Sequence, residues 1–308
     1  MRCTTAARSL DFRRFEGVER IAESTMATVF RARDRVSGQE VALKEARLGF
    51  ERRLEMEAVM LEELQHHRIL RHVAHGKLWD GRSLLVTEWL RGSTLHAAMR
   101  EGVSLRQTLE LGYHLCEALA FAHERHVVHR DIKPTNIFLR DGSTSDLVLL
   151  DFGAARDTSL DDRLTLDGVL IGSYPYMAPE QALGELSVGP AADVFAAGLV
   201  LYECLAGHRA FEGTGYGVLA KIVLADPAPL GSLNPMVPEA VSRVVMAMLS
   251  KDPSLRPSAQ SLVSLLAELR AEMVECSEVP LVPRRRTASV AESTTVTKRP
   301  PVVERQLD

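Results

Sequence analysis

The 308 residues exceed what one ordinary core organises and suit two compact lobes with extensions. With 46% hydrophobic and 25% charged residues and a net charge of −4, the bulk composition points away from nucleic acid or an anionic membrane as the main partner. Cys3, Cys116, Cys204 and Cys276 are scattered, with no CxxC pair and no His spacing that would make a zinc site, which argues for buried or idle thiols in a reducing compartment.

In chain order, residues 1–11 read as a loose leader; their arginines have no apolar segment behind them, so they are not a secretory signal. Val18 to Arg33 reads as a hairpin and Val41-Ala42-Leu43-Lys44 as a third strand. Arg53 to Gln65 has helical spacing, with Leu54, Leu61 and Leu64 on one side, and Ser83 to Thr87 reads as a buried strand. After Gly92 the pattern turns to long helices, beginning with Ser104 to Arg125, where Leu111, Leu115, Leu119 and Ala122 recur. Val127 to Asp151 returns to short strands and loops. Pro190 to Gly207 holds the longest apolar run, Val194 to Ala206. That run is broken by Glu203 and too short to span a bilayer, so it reads as a helix buried on all sides. Glu239 to Leu249 and Ser258 to Met273 are amphipathic, the second with Ser258 as N-cap. From residue 274 onward the composition shifts to Pro, Arg, Thr, Ser and Val without periodicity and reads as a disordered tail. The expected location is cytoplasmic, with no membrane span.

Chemistry concentrates in an ordered set of short motifs. His129-Arg130-Asp131-Ile132-Lys133-Pro134-Thr135-Asn136 is followed by Asp151-Phe152-Gly153, Ala178-Pro179-Glu180, Asp193, and Asp252-Pro253-Ser254-Leu255-Arg256-Pro257, with Val41-Ala42-Leu43-Lys44 upstream. The set resembles the protein kinase family over roughly residues 12–273. Tyr176 to Gln181 and Leu201 to Gly207 look like the eukaryotic-type Ser/Thr kinases of bacteria. The resemblance implies an α+β, bilobal protein kinase fold. An antiparallel-sheet N-lobe with one key helix would cover about 12–87, a connector 88–92, and a larger helical C-lobe 93–273.

Phosphoryl transfer is catalysed mainly by positioning and electrostatic stabilisation, which explains these residue types. The resemblance assigns Lys44 to the α- and β-phosphates. Its burial in a strand requires a carboxylate partner, for which Glu57 is the candidate and Glu55 the rival if the helix register shifts. Asp131 would accept the proton of the substrate hydroxyl and Lys133 would steady the γ-phosphate. Asn136 and Asp151 would bind Mg²⁺, with Mn²⁺ as the alternative ion. Thr87 resembles the residue behind the adenine pocket, Glu88 to Leu90 the connector pairing with adenine, and Ile21, Val29, Ala42 and Phe138 the residues enclosing ATP. Ser173 resembles the substrate segment of Ser/Thr-specific enzymes. Glu180 with Arg256 is expected as a buried structural ion pair, and Asp193 as a helix cap and brace for the catalytic loop.

The phosphate-covering loop departs from the family pattern. Ala22, Ser24 and Ala27 stand where three glycines are expected, which implies looser cover over ATP, partly compensated by the Ser24 hydroxyl. A pseudokinase scaffold is therefore the alternative reading, and phosphotransfer to a small molecule a second rival. Arg130 beside Asp131 calls for an anionic partner, and Thr158, Ser159 and Thr165 are the phosphosite candidates, Thr165 favoured for lying nearer Gly172. Pro283 to Ser289 resembles a basophilic kinase target. With no anchor or sensor segment legible, the expected input is a soluble partner, phosphorylation, or homodimerisation with trans-autophosphorylation on the way to protein substrates.

Overall fold

The computed structural model describes residues 10–154, 174–185 and 187–273. Strands β1 (Phe15–Glu23), β2 (Ala27–Asp34) and β3 (Glu40–Ala46) lead into helix α1 (Glu51–Glu63), then β4 (His72–Lys77) and β5 (Ser83–Glu88). These strands form one antiparallel sheet in the order β1-β2-β3-β5-β4. The expected hairpin is present with longer arms, and β4 was not legible because its residues do not alternate in polarity. Within the expected leader, the Leu10 N–H donates to the Lys77 carbonyl at 3.0 Å.

Period-2 alternation along β3 organises the N-terminal lobe. Val41 and Leu43 point to one face, into a core with Phe15, Ala32, Leu78, Leu84 and Val86. Ala42 and Lys44 point to the other. There α1 buries Leu54, Ala58 and Leu61 in a second, larger core that continues through Leu85, Leu149 and Phe152 into the rest of the molecule. The lobes thus share apolar packing directly beneath Lys44. Arg14 closes the base of the first hairpin with two 2.7 Å hydrogen bonds to the buried Asp34 carboxylate, which holds that carboxyl well below its usual range.

Beyond the connector come β6 (Gly92–Thr94), α2 (Leu95–Ala98), α3 (Leu105–Glu124), β7 (Ile137–Arg140) and β8 (Leu147–Leu149). Strands β6, β7 and β8 form a small antiparallel sheet. Gly92 has φ 134° and its Cα lies so close to the Leu139 carbonyl that a Cβ would fall 2.0 Å from that oxygen, so only glycine fits. Ser104 caps α3: its hydroxyl accepts from the Gln107 N–H, and the Gln107 side chain accepts from the Ser104 N–H.

The C-terminal lobe is completed by α4 (Pro179–Ala182), α5 (Pro190–Ala206), α6 (Tyr216–Leu224), α7 (Leu230–Leu233), α8 (Glu239–Met248) and α9 (Ala259–Glu272). Helix α5 is buried on all sides as its composition predicts, stops at Gly207 in the left-handed conformation, and packs on α3 and α8. Ser258 caps α9 as expected. No helix among the described residues is long and apolar enough to cross a membrane. Cys116 and Cys204 are buried thiols outside any disulfide; Cys3 and Cys276 lie outside the described residues.

The Arg256 guanidinium is wholly buried and forks onto Glu180, at 2.6 and 2.9 Å, while also donating to the carbonyls of Ser250, Lys251 and Ala191. It ties α4 and the start of α5 to the segment before α9. Arg256→Met leaves the Glu180 carboxylate buried without its cation and is expected to destabilise the protein by about 3–5 kcal/mol. The double variant with Glu180→Leu should recover a substantial part. Urea denaturation followed by circular dichroism measures both.

Candidate active site

Lys44 and Glu57 meet across the sheet–helix junction. The ammonium lies 2.7 and 2.9 Å from the two Glu57 oxygens and 3.9 Å from Asp151 Oδ1. Burial alone would discharge Lys44; the two carboxylates outweigh it and hold the ammonium form above its usual range. Burial likewise pushes the Glu57 carboxyl up while Lys44 pulls it down, and the short contact to a charged ammonium favours the ionised pair. Glu55 is excluded as the partner: it turns to the other side of α1, accepts from the Ser83 hydroxyl at 2.8 Å and faces Lys77.

Asp151 sits in the left-handed region at φ 59°, a strained conformation for a non-glycine residue. Two features hold it there. Its carboxylate accepts from the Gly153 N–H at 3.2 Å, and Phe152, 1% exposed, is locked edge-to-face against His129. Gly153 leaves the room this requires, since a Cβ there would meet Asp151 Oδ1 at 3.0 Å. Burial opposes ionisation of Asp151, but Lys44 prevails and its carboxyl stays below the usual range.

The loop that carries Asp131 is fixed from behind. Asp193, fully buried, accepts from the His129 N–H at 2.8 Å, the Arg130 N–H at 2.7 Å and the His123 ring at 2.9 Å. The expected brace is therefore present, but the expected cap is not. Gly189 is the N-cap residue of α5 and has no side chain to cap with, while the Asp193 carboxylate is directed at the loop. His129 Nε2 donates to the Leu150 carbonyl at 2.8 Å, which leaves Nδ1 to accept from the Asp131 N–H. These contacts hold Arg130 at φ 65°.

Asp131 Oδ2 accepts from Lys133 Nζ at 2.7 Å and from Asn136 Nδ2 at 3.0 Å. Asn136 Nδ2 also donates to the Asp131 carbonyl, so its Oδ1 is the atom left for a metal. The Asn136 amide oxygen and the Asp151 carboxylate are both hard oxygen donors, of the kind that Mg²⁺ and Mn²⁺ take. Arg130 donates to the Val188 carbonyl at 3.2 Å, and its buried Nε has no partner among the described residues.

The connector is clamped at its first residue. The Glu88 carboxylate pairs with Arg140 of β7 at 3.0 and 3.1 Å, and the N–H groups of Glu88 and Trp89 are engaged by Arg71 and Glu40. The next N–H along the connector is that of Leu90. Val29, Ala42, Leu90 and Phe138 are half-buried, Thr87 is buried at the back, and Ile21 is exposed.

The loop lacking glycines is pinned. The Ser24 hydroxyl accepts from the N–H groups of Met26 and Ala27 and donates to the Ala27 carbonyl, so it closes the β1–β2 turn. In this arrangement its proton is committed to the Ala27 carbonyl, whereas the sequence suggested a hydroxyl turned toward a phosphate. Ala22 pairs across the hairpin with Val29, and Arg47 at the end of β3 reaches Glu23 at 2.9 Å. Ser173, Thr158, Ser159 and Thr165 lie outside the described residues, as do Gly172, the 274–308 tail and the basic segment within it.

A two-lobed fold with a buried Lys–Glu pair facing a braced Asp–Lys–Asn loop defines a protein kinase domain. The family model for that domain matches residues 15–265, and the chain belongs to this family. A probable serine/threonine-protein kinase of Corynebacterium efficiens is 32% identical over 303 residues, spanning 88% of this chain and 45% of that protein. The serine/threonine-protein kinases pkn2 of Myxococcus xanthus and PrkC of Bacillus subtilis are each 31% identical, over 82% and 78% of this chain and 32% and 38% of theirs. The chain thus spans less than half the length of these relatives.

Asp193→Asn replaces one of the acceptors of the His129 and Arg130 N–H groups with a donor. Because burial is outweighed and the folded-state value lies below the ordinary value of about 3.9, the ionised Asp193 stabilises the fold above that pH and loses this contribution as pH falls. The stability gap between wild type and Asp193→Asn should therefore be largest at neutral pH and shrink on acidification below about pH 4, as read from denaturation midpoints across a pH series.

Proposed function

We propose that this chain is an ATP-dependent protein serine/threonine kinase that moves the γ-phosphoryl group of ATP to a protein hydroxyl. The observation that carries this reading is the convergence of Lys44 with Asp151 on one side of the cleft and of Lys133 and Asn136 on Asp131 on the other. These five side chains come from three separate stretches of sequence, and their joint geometry suits a transferring phosphoryl group.

In this reading Asp131 receives the proton of the acceptor hydroxyl as its oxygen bonds to the γ-phosphorus, and the bond to the β-phosphate oxygen breaks to release ADP. Lys133, already beside Asp131, leans toward the incoming phosphoryl oxygens. Lys44, kept charged by Glu57, holds the α- and β-phosphates. Asn136 Oδ1 and the Asp151 carboxylate hold magnesium, which when bound neutralises phosphate charge. Val29, Ala42 and Phe138, with Ile21 over the outer edge, enclose the adenine, and the backbone of Glu88 to Leu90 pairs with it. Ser173 belongs to the segment that receives the protein substrate.

The loop without glycines favours weaker cover of ATP rather than loss of activity, because each charged group of the site is in place. Alanine side chains at positions 22 and 27 and a Ser24-locked turn keep the backbone from closing on the phosphates. The half-satisfied Arg130 supports phosphorylation of the neighbouring loop, at Thr165 first and Thr158 or Ser159 otherwise. Trans-autophosphorylation in a homodimer and a cytoplasmic setting complete the reading.

With labelled ATP, Mg²⁺ and a generic basic protein, wild type should place label on Ser or Thr, and Asp131→Asn should lower kcat by at least about 100-fold. Equal transfer by both proteins, or none by wild type with saturating ATP, contradicts the proposal. Replacing Ala22, Ser24 and Ala27 together by glycine should lower the KM for ATP with little change in kcat, in the same assay at varied ATP.

A further inference from the structure

A cluster outside the active site brings together one carboxylate and two imidazoles. Glu62 lies in the last turn of α1, and His72 and His75 lie on β4. One ligand atom from each falls within 4.8 Å of the others, and all three side chains are part-exposed. His72 Nε2 and His75 Nδ1 are already 2.9 Å apart, with ring centroids 5.0 Å apart.

This juxtaposition is built by an irregularity in the sheet. Residues three apart on a regular strand point to opposite faces. Between His72 and Ala74 the pairing of β4 with β5 slips: His72 opposes Thr87 and Ala74 opposes Val86. The extra residue turns His72 onto the side of His75, so both rings face the end of α1, against which β4 packs.

A second, independent observation concerns the helix end. The final turn of α1 carries Glu62 and Glu63 and no basic residue. Carboxylates there oppose the negative end of the helix dipole, so the local field favours a bound cation. Two imidazole nitrogens and one carboxylate oxygen form a borderline donor set, which selects Zn²⁺ or a similar transition ion over Mg²⁺ or Ca²⁺.

We propose that Glu62, His72 and His75 form a three-ligand site for a transition-metal ion of the Zn²⁺ class, fastening the end of α1 to β4. Binding through His72 Nε2 and His75 Nδ1 replaces the proton shared between the rings, which moves to the outer nitrogen of the ring that donated it. Tetrahedral ligands around Zn²⁺ stand about 3.4 Å apart, so small side-chain adjustments suffice, and a water takes the fourth position. Glu57 is five residues before Glu62 on α1. Granting the kinase reading, fastening this helix reinforces the arrangement in which Glu57 reaches Lys44.

The test is Zn²⁺ binding to the full chain, without nucleotide or Mg²⁺, by competition with a chromophoric chelator. Wild type is compared with His72→Ala, His75→Ala and Glu62→Gln, each checked for folding by circular dichroism. Zinc held elsewhere, by the active-site carboxylates or by Cys3 and Cys276, is common to all four proteins. The proposal expects wild type to bind one more Zn²⁺ than either histidine variant. Either substitution should weaken that ion by more than the roughly 10–100-fold that loss of a supporting group costs, and Glu62→Gln should weaken it too. Zinc should also raise the melting temperature of wild type and not of His75→Ala. Equal stoichiometry and affinity in wild type and the folded variants would overturn it. Asp131→Asn should keep the Zn²⁺ that His72→Ala and His75→Ala lose, so failed phosphoryl transfer and failed zinc binding are separate results.

Discussion

An ammonium group cannot be left alone in an apolar junction, and the structure is arranged around that constraint. Lys44 projects from the face of β3 opposite Val41 and Leu43, into the space beneath the sheet, where burial would discharge it. Glu57 removes that penalty only if α1 lies against the sheet, and α1 can lie there only because Leu54, Ala58 and Leu61 have a core to enter. The same core contains Phe152, so packing the helix also seats the residue that precedes Gly153 and follows Asp151. One ion pair thereby couples strand, helix and Asp151.

The C-terminal lobe solves a matching problem with an anion. Asp193 is buried with no cationic lysine or arginine paired to it among the described residues, and its charge is dispersed over two backbone N–H groups and the His123 ring. The His129 and Arg130 N–H groups belong to the loop that presents Asp131, so stabilising the carboxylate and shaping the loop are a single event. The left-handed backbone at Arg130 and Asp151 is supported by these contacts and by the Phe152–His129 stack. The two strained residues flank the cleft, where deviation from relaxed geometry positions functional groups.

Much of this was legible in the sequence, for identifiable reasons. Lys44 stood in an alternating strand, and Glu57 shared a helical face with Leu61 and Leu64, so their meeting followed from two periodicities. Asp131, Lys133 and Asn136 were legible because a short loop keeps them within reach of each other. Asp193 was half-read: proximity to a helix start suggested a cap, but its partners lie more than sixty residues upstream in the chain. The Ser24 turn was missed because a hydroxyl near a phosphate loop and one that closes a turn look alike in sequence. The facing of His72 and His75 was hidden altogether, since it depends on a register slip that no period-2 pattern reports.

The central claim is that Lys44, Asp151 and Asn136 form one nucleotide–metal site. Calorimetric titration of ATP into wild type and Asp151→Asn, each with and without Mg²⁺, tests it most directly. The account predicts that Mg²⁺ tightens ATP binding to wild type and that Asp151→Asn loses this tightening while still binding the adenine weakly. An identical Mg²⁺ response in the two proteins, or no ATP binding by wild type, would contradict it.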